Sequence, residues 1–478
     1  MKETKTALVW FRSDLRLGDN PALDYAIRHF DAVIPVFIFS PEEETPWEPG
    51  SAARWWLHHS LTSLDQDLRA LGSRLVIRKG PALKTLFELI RGIKAQAVFW
   101  NRRYEPAIMQ WDEQVKNKLS QAGIQVQSFN GSLLFEPGQI KNQQGAPYKV
   151  FTAYWNKVIA SEPPPKPLKA PGQLTAPARR PQFLEIKALC LEPKVKWAAG
   201  LRKSWVPGEK AAQKNLRKFI ASCITAYSIE RDRPDHEGTS RLSPYLHFGE
   251  ISPRRVWYSV RKNRNTIPYL RQIVWREFAH YLLYHFPHTP ERPLRKEFEK
   301  FSWKTDKTLL KKWQKGRTGY PVVDAGMREL WVTGWMHNRV RMIAASFLVK
   351  DLMIPWQEGA KWFWDTLVDS DLANNTLGWQ WVAGCGADAA PFFRIFNPVI
   401  QGEKFDPGGN YVRKWVPELS RLPDKFIHRP WDAPKPVLAS AGLAYGKDYP
   451  ARIVDHNASR RKALLAYEKM RRALLRHV

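Results

Sequence analysis

The stretches Gly334–Met342, which reads GWMHNRVRM, and Asp369–Asn375, which reads DSDLANN, decide how this chain is organised. They belong to a segment from Trp331 to Trp381 that closes with the residues TLGWQW. Apolar positions at helical spacing predict that these stretches lie on helices. The same stretches carry arginines, carboxylates and amides, which an apolar core excludes. Because buried charges are tolerated mainly when they are paired or bind a ligand, we expect a polar, flat group among them.

The chain is long and strongly basic. Its 478 residues are enough for two or more domains, each with its own core. It has 75 lysines and arginines against 46 aspartates and glutamates, a formal charge of +29. This excess favours a polyanionic partner, above all nucleic acid, whose phosphates supply sequence-independent affinity. The alternative is a basic surface that binds no such partner.

Cysteine content and hydropathy bear on the compartment. Cys190, Cys223 and Cys385 neither pair evenly nor stand at the spacing of zinc ligands, which predicts a reducing compartment and no metal site. No apolar run approaches the roughly 18 residues of a membrane span, and the first residues do not form a signal peptide. We therefore expect a soluble, cytoplasmic, monomeric protein with no membrane partner.

The N-terminal part alternates short buried strands with helices. The predicted strands are 7–11, 32–39, 75–78, 95–100 and 124–129, and the predicted helices begin at 21, 52, 83 and 106. This alternation predicts a doubly wound, five-stranded parallel sheet, a Rossmann-like domain over residues 1–132. Ligands of such sheets bind beyond the carboxyl ends of the strands, so Arg12–Arg16 would border a cleft. A Gly-rich phosphate fingerprint is missing there, which argues against a nicotinamide dehydrogenase.

A linker and a helical domain follow. Seven prolines between Pro163 and Pro181 predict an extended surface connection within a linker at 133–204. From about Trp205 helical periodicity replaces strand patterns, so residues 205–478 are predicted to form an all-helical domain. The predicted helices are Glu209–Tyr227, Pro253–Arg264, Leu270–Phe286, Val322–Thr333, Asn338–Leu352, Gln357–Leu367 and Ser459–Val478.

Two motifs suggest contacts with phosphates and bases. The stretch Glu237–Pro244 has a glycine, three hydroxyl residues and an arginine ahead of a helix, which suits an anion site at the helix N-terminus. Helix capping by Thr239 or Ser240 accounts for the same residues. Trp275–Phe278 and Trp379–Trp381 interleave aromatic with polar side chains, which suits stacking on bases within a basic groove. The alternative is that each tryptophan belongs to the core.

Together these segments resemble the DNA photolyase/cryptochrome family, and most of all its bacterial cyclobutane pyrimidine dimer photolyases. The resemblance runs from residue 7 to about residue 470, and its motifs are Leu8–Arg16, Glu237–Ser243, Trp275–Phe278, Lys315–Pro321, Gly334–Met342, Asp369–Trp381 and Asp388–Pro398. It implies an α/β antenna domain and a helical domain that holds FAD. It also implies light-driven repair of a flipped-out dimer in UV-damaged DNA, by electron transfer from the fully reduced, anionic flavin.

The resemblance assigns a set of residues to FAD: Tyr227, Thr239, Ser240, Arg241, Leu242, Ser243, Arg276, Arg341, Asp369, Asp371 and Asn375. Tyr227 and the stretch 239–243 should hold the phosphates and the ribityl chain. Asn375 matches the asparagine beside flavin N5, where an amide brings no negative charge. Asp369 and Arg341 match an ion pair over the flavin ring, although a plain helix–helix salt bridge fits the same residues. Asp371 should contact the ring's polar edge.

The resemblance assigns a second set to the DNA lesion: Gln272, Trp275, Asn338, Arg339, Met342 and Trp381. Trp275 and Trp381 match the aromatic walls beside the two pyrimidines. Asn338 and Met342 stand where animal (6-4) photolyases have histidines, which favours the cyclobutane dimer as substrate. A third set, Trp379, Trp356 and Trp303, matches the electron-transfer chain that reduces the oxidised flavin after illumination, although each alone would be assigned to the core.

Two positions depart from the family pattern. Gln272 stands where dimer photolyases have a glutamate, and its amide donates hydrogen bonds but carries no charge, so we expect weakened dimer repair. Ala107 and Ile108 replace the Asn-Glu pair of one folate-binding branch, which leaves methenyltetrahydrofolate, a deazaflavin or no antenna open. The main alternative function is a cryptochrome-type blue-light photoreceptor with the same fold and FAD.

Overall fold

The computed structural model describes residues 4–177, 181–193, 196–263 and 265–475. The chain forms two compact units. Unit 1 comprises Met1–Thr225, Ser240–Pro287 and Val368–Leu372, and unit 2 comprises Ala226–Thr239, His288–Leu367 and Ala373–Val478. The domain limits expected from composition, 1–132, 133–204 and 205–478, stay a prediction, since compact units and sequence domains need not coincide.

A five-stranded parallel sheet organises the N-terminal part of unit 1, in the order β3-β2-β1-β4-β5. The strands are β1 Thr6–Phe11, β2 Ala32–Phe39, β3 Val76–Lys79, β4 Ala97–Asn101 and β5 Gln125–Phe129. Every residue of β1 and β2 is buried, as expected of central strands covered on both faces. In the register, Leu8 of β1 lies between Ile34 of β2 and Val98 of β4. The predicted doubly wound sheet is confirmed, with strand limits that differ by no more than two residues.

The helices follow in chain order. In the described residues they are α1 Pro21–His29, α2 Ser51–Ala70, α3 Ala82–Ile93, α4 Pro106–Gln121, α5 Phe151–Ala160, α6 Ala199–Ser204, α7 Glu209–Ser222, α8 Tyr227–Glu230, α9 Ser243–His247, α10 Pro253–Val260, α11 Ile267–His285, α12 Lys307–Gln314, α13 Pro321–Thr333, α14 Asn338–Ser346, α15 Trp356–Thr366, α16 Leu372–Ala383, α17 Pro398–Phe405, α18 Asn410–Trp415, α19 Asp424–Ile427, α20 Lys435–Ser440 and α21 His456–Leu475. Among them, none is long and apolar enough to cross a membrane.

Local sequence explains where α1 begins. Pro21 occupies the first turn, where its missing N–H costs nothing, and the Asn20 side chain accepts a hydrogen bond from the Leu23 N–H at 3.1 Å. The proline-rich segment has no regular structure over 163–177, but it is fixed to unit 1. The Leu174 N–H donates to the Leu71 carbonyl, and the Thr175 carbonyl accepts from the Val33 N–H. Residues 178–180 of this segment lie outside the described residues.

Unit 2 is helical, with an aromatic core that includes Trp313, Phe347, Trp356 and Trp379. Within the described residues of unit 2, the β-type pairing is an isolated bridge between Tyr445 and Tyr449. The predicted all-helical C-terminal part is therefore confirmed, although the predicted ends at Arg264 and Val478 lie outside the described residues.

Several helical predictions need correction. Gly334–His337, predicted to be helical with the rest of Gly334–Met342, precede α14, and the predicted helix Glu209–Tyr227 ends at Ser222. The predicted helix Asn338–Leu352 is α14 followed by a π-helix, Phe347–Asp351. Asp369–Asp371 were predicted to be helical, but they precede α16, and the Asp371 N–H donates to the Asp369 carbonyl in a tight turn. Apolar spacing indicates that a helix is near but does not fix the hydrogen-bond register at its ends.

Candidate active site

The carboxyl edge of the sheet is filled by a polar network. The Asn101 amide donates to Asp14 at 2.6 Å and to Asn20 at 2.7 Å. The Arg16 guanidinium is 2% exposed and donates to the carbonyls of Gly131 and Gly249. The segment predicted to border a cleft therefore uses its polar groups within the fold, because buried donors and acceptors must be satisfied.

Helix α11 presents two residues predicted for the site, and a histidine, at successive turns of one face. Gln272, Arg276 and His280 are four residues apart, which places their side chains in one row. The Gln272 amide lies 3.4 Å from the Pro268 carbonyl, and Arg276 donates to the Ser132 carbonyl at 2.9 Å. Both side chains are thus held by backbone acceptors of unit 1.

Trp275 is half-buried and stacked. Its ring centroid lies 3.8 Å from that of Phe151, and the two planes differ by 7°. The Arg271 guanidinium lies 5.1 Å from the Phe151 centroid. Phe151 of α5 therefore covers one face of the Trp275 indole and fixes its plane, as a wall for a second flat group requires.

Asp371 lies among cationic and imidazole groups of unit 1. Its Oδ2 atom is 3.2 Å from His280 Nε2 on α11 and 3.9 Å from His247 Nδ1 on α9. The other ring nitrogen of His280, Nδ1, lies 3.0 Å from the Arg276 carbonyl. Both ring nitrogens of His280 thus face atoms that only accept hydrogen bonds, a geometry that a doubly protonated imidazolium satisfies and a neutral ring does not.

The pKa values of this pair move in opposite directions. Burial alone would raise the pKa of Asp371, but the charge of His280 and the hydrogen bonds from His247 and His280 lower it well below its usual value. Burial, the largest single influence, would lower the pKa of His280, but the charge of Asp371 and the hydrogen bonds to Asp371 and to the Arg276 carbonyl together outweigh burial and raise that pKa. Both shifts favour the ionised forms, a protonated His280 beside a deprotonated Asp371.

Glu277 adds a titrating carboxyl beside this pair. Burial raises the pKa of Glu277 to about 7, against the charges of Arg276 and His280 and the N–H groups of Leu134 and Phe135. The Leu134 N–H donates to the carboxyl oxygen Oε2 at 2.8 Å. Glu277 therefore holds the loop after residue 132 and changes charge near neutral pH.

The alternative that Thr239 or Ser240, in the stretch 239–243, caps a helix can be checked at the start of α9. Helix α9 begins at Ser243, its N-cap residue is Leu242, and no side chain caps it. Ser240 Oγ instead accepts hydrogen bonds from the Tyr269 hydroxyl at 2.9 Å and the Leu242 N–H at 3.4 Å. The Arg241 guanidinium lies 4.3 Å from the Trp205 ring centroid. The capping alternative is therefore wrong, and the phosphate role of this stretch stays a prediction.

Unit 2 brings the two diagnostic residues of α14 together. Asn338 Nδ2 lies 3.9 Å from Met342 Sδ, one helical turn away. Arg339 donates to Asp232 at 2.8 Å, and its guanidinium lies 4.3 Å from the Phe405 ring centroid. The positive charge of Arg339 is thus paired and stacked, whereas Asn338 is exposed.

The remaining residues of unit 2 that were predicted to bind FAD lie on separate elements. Asn375 on α16 spends one amide N–H on the Ala360 carbonyl at 3.1 Å. Tyr227 begins α8, is buried, and burial raises its pKa to about 12. Arg341 donates to the Met336 carbonyl at 2.7 Å. The expected pairing of Arg341 with Asp369 joins residues of different units and stays a prediction.

The three tryptophans of the expected electron chain differ in burial. Trp379 and Trp356 are each 2% exposed, and Trp303 is partly buried against the core of unit 2. The Trp379 ring packs against Phe363 and Trp313, with centroids 5.0 and 6.2 Å away. Trp381 is also partly buried against this core. The burial pattern suits a path from interior to surface, and the electron-transfer role stays a prediction.

Sequence reasoning missed His280, His247, Glu277 and the stacking role of Phe151. The four-residue spacing from Arg276 to His280 was a usable signal, because Arg276 was already assigned to the cofactor. Nothing local indicated that His280 would meet Asp371, 91 positions further along the chain. Among the described residues, no group of three or more His, Cys, Asp and Glu side chains could hold a metal ion.

Comparison with known proteins fits these features. Residues 7–171 match a family model described as DNA photolyase, and residues 269–469 match one described as the FAD binding domain of DNA photolyase. The chain is 47% identical over 477 residues to the deoxyribodipyrimidine photo-lyase of Agrobacterium fabrum, covering 98% of this chain and 99% of the relative. It is also 43% identical over 492 residues to Cryptochrome-2 of Arabidopsis thaliana, covering 99% of this chain and 80% of the relative.

A solved structure supports the same family assignment. The crystal structure of a bacterial class III photolyase from Agrobacterium tumefaciens superposes with a TM-score of 0.96 at 47% identity, covering 99% of both chains. The fold and site thus define a photolyase-type enzyme with an FAD-binding domain. The chain belongs to the DNA photolyase/cryptochrome family. The predicted family, fold class and FAD cofactor are confirmed.

Proposed function

We propose that this protein reverses cyclobutane pyrimidine dimers in DNA under blue light. The observation that carries the proposal is the pair formed on α14 by exposed Asn338 and half-buried Met342, with Asn338 Nδ2 3.9 Å from Met342 Sδ. Neither side chain donates a proton readily at neutral pH, in contrast to the histidines expected for a (6-4) lesion. A dimer that splits after gaining an electron needs no such donor.

The residues of each unit suit the polar groups of FAD. In unit 2, Asn375 uses one N–H on Ala360 and keeps its second N–H and its carbonyl oxygen for a heteroatom such as flavin N5. In unit 1, Asp371 is an ionised acceptor of the kind that an imide N–H at the flavin's polar edge requires. FAD, when bound, supplies the light-driven electron donation that this family uses. Arg341 and Asp369 would add an ion pair on the flavin ring.

DNA recognition would use the basic surface and two aromatic walls. The formal charge of +29 favours contacts with phosphates, whose strength falls steeply with salt concentration. Trp275, held flat by Phe151, and Trp381 would pack against the flipped pyrimidines. Extrusion of a damaged base costs less than extrusion of a normal one, because its stacking is already weakened. The protein would act as a monomer in the cytoplasm.

A cryptochrome-type photoreceptor is the second candidate. The 43% identity to Cryptochrome-2 of Arabidopsis thaliana favours it, and so does Gln272, which lacks the charge of a dimer-contacting glutamate. It predicts FAD binding and photoreduction with little or no repair. Only the repair of a DNA lesion therefore distinguishes the two candidate functions.

The deciding experiment uses an oligonucleotide with a single cyclobutane thymine dimer, illuminated with blue light and reductant against a dark control. We expect light-dependent reversal, and no reversal of a parallel (6-4) substrate. Gln272→Glu should raise the quantum yield, whereas Gln114→Glu, an exposed control on α4 that adds the same charge, should not. FAD binding and photoreduction without reversal of either lesion would favour the photoreceptor.

The antenna chromophore is a separate part of the proposal. Methenyltetrahydrofolate or a deazaflavin would harvest light for the flavin, and the family resemblance favours methenyltetrahydrofolate. The chromophore released by denaturing the purified protein distinguishes them by its absorption spectrum. Release of FAD alone would leave the antenna role unsupported.

A further inference from the structure

A buried charge pair lies next to the flavin-contacting position of unit 1. His280 Nε2 is 3.2 Å from Asp371 Oδ2, and His280 Nδ1 is 3.0 Å from the Arg276 carbonyl. Asp371 is 9% exposed and His280 is 8% exposed, so solvent screens their interaction weakly. The family resemblance provides a role for Asp371 but none for His280.

The pair leaves a charged His280 close to the position that Asp371 should share with the flavin. A carboxylate alone would repel the anionic reduced flavin, whereas a carboxylate paired with an imidazolium presents little net charge. The hydrogen bond from His280 also fixes the orientation of Asp371, because it occupies Oδ2.

We infer that His280 is a positioning residue for the flavin, which orients Asp371 and offsets its charge so that the reduced, anionic cofactor binds more tightly than it would beside Asp371 alone. The inference rests on the proposed contact between Asp371 and the flavin ring. It adds to the proposed function a residue whose protonation tunes the cofactor.

Several charged groups lie near His280, and a test must distinguish their effects on the cofactor. Asp371, Arg276 and Glu277 face His280, and Asp371 in turn interacts with His247 and with Glu105. Glu277 gains a negative charge near pH 7, which would also disfavour an anionic cofactor. Its effect has the same sign as loss of the His280 proton, so a Glu277→Gln background is required.

The His280–Asp371 pair contributes to stability in a pH range set by the directions of the two pKa shifts. The raised pKa of His280 adds stability that is complete below its ordinary value of 6.5 and is lost as pH rises through the raised value. The depressed pKa of Asp371 adds stability above its ordinary value of 3.8 that is lost as pH falls through the lowered value. The pair is therefore at full strength between pH 3.8 and 6.5.

The test compares the wild-type protein with His280→Gln, since a glutamine amide can donate to Asp371 without carrying charge. The affinity for reduced FAD is divided by the affinity for oxidised FAD at pH values from about 5.5 to 9, and the wild-type ratio is divided by the variant ratio. Protonation of the free flavin, which is the same in both measurements, cancels in this comparison. His285→Gln is the matched control, because His285 is on the same helix and contacts Pro137 rather than Asp371.

We expect the wild-type ratio to exceed the His280→Gln ratio about tenfold at low pH. A nearby opposite charge stabilises the charged form of a group by about this factor or more. The excess should vanish as pH rises through the His280 pKa, also in the Glu277→Gln background. Asp371→Asn removes the carboxylate that repels the anionic flavin, so its ratio should equal or exceed the wild-type ratio as pH rises through the His280 pKa; this provides a second variant should His280→Gln fold poorly. His285→Gln should match the wild type.

Two outcomes distinguish the inference from the function on which it rests. A His280→Gln protein with altered pH dependence of unfolding but an unchanged affinity ratio would overturn the inference, because the pair would then be structural only. A normal tenfold excess in a protein that repairs no lesion would support the inference and contradict the proposed dimer repair.

Discussion

Gly359 on α15 lies against the ring of Trp379, so an added methyl group tests how tightly this tryptophan is held. An alanine Cβ at residue 359 would lie 2.0 Å from Trp379 Cη2 and 2.5 Å from Cζ3. Ordinary van der Waals contact begins near 3.4 Å, so the ring would have to move by more than an ångström. Trp379 is packed against Phe363 and Trp313, which oppose that movement.

The expected magnitude comes from two opposing effects. Replacing a helical glycine by alanine stabilises a helix by about 1 kcal/mol. Overpacking of a core costs about 1–3 kcal/mol. Gly378→Ala on α16 is a matched control, because its Cβ would meet nothing within 4 Å and the residue directly precedes Trp379. We expect Gly359→Ala to be less stable than Gly378→Ala by about 2 kcal/mol.

Urea unfolding of the FAD-bound protein measures this difference, and the rate of flavin photoreduction under blue light reports on Trp379 itself. Gly359→Ala should slow photoreduction if Trp379 donates electrons to the flavin, since electron transfer depends on the position of the ring. Gly378→Ala should leave that rate unchanged. Equal unfolding midpoints for the two variants would refute the reasoning, because the ring would then have room to move.

Two further predictions concern buried ionisable groups. Burial lowers the pKa of Lys350 to about 7, so the free energy of unfolding of the wild type should rise with pH between about 7 and 10.5. Lys350→Met should remove this dependence on pH and raise the unfolding temperature at pH 7. An unchanged temperature at pH 7 would contradict this. Burial raises the pKa of Glu250 to about 8, so wild-type stability should fall as pH rises from 4.5 to 8. Glu250→Gln, which still accepts from Trp56, should flatten that fall in thermal unfolding, and a persistent fall would assign it to another group.

The fold was predictable where local chemistry decides it. The limits of β2 were predicted without error, because its apolar run of eight residues is short for a helix and rich in β-branched and aromatic residues. The end of α14 was not predictable in the same way. Its π-helix contains Asp351, which meets His456 at 2.6 Å, 105 positions away. Periodicity carries no information about such a partner.

The candidate site was predictable only through family resemblance. Asp371 and Arg276 were assigned by motif, and their positions in unit 1 fit a polar cofactor. His280 was not assigned, because its four-residue spacing from Arg276 was not used and nothing local points to Asp371, 91 positions further along the chain. Phe151 was missed for the same reason, since stacking at 3.8 Å on Trp275 depends on two helices meeting.

The buried charges of this chain are accommodated in two physically different ways, and only one of them can act on a cofactor. Lys350 shares its environment with the Phe392 carbonyl and ring, and burial brings its pKa to about 7, so its charge is partly lost near neutral pH. Asp371 keeps its charge, because the charge of His280 and the hydrogen bonds from His247 and His280 hold the pKa of this carboxyl well below its usual value.

A group that loses its charge on burial exerts little field, whereas a retained ion pair has a strong local field that changes when either partner titrates. Asp19 and Arg254, 3.0 Å apart in unit 1, form another buried pair, but their other contacts tie them to Ser252 and Leu168 of the fold. Asp371 differs because the family resemblance assigns it to the flavin. The His280–Asp371 pair is therefore the place where a single protonation step would change how strongly the chain holds a reduced cofactor.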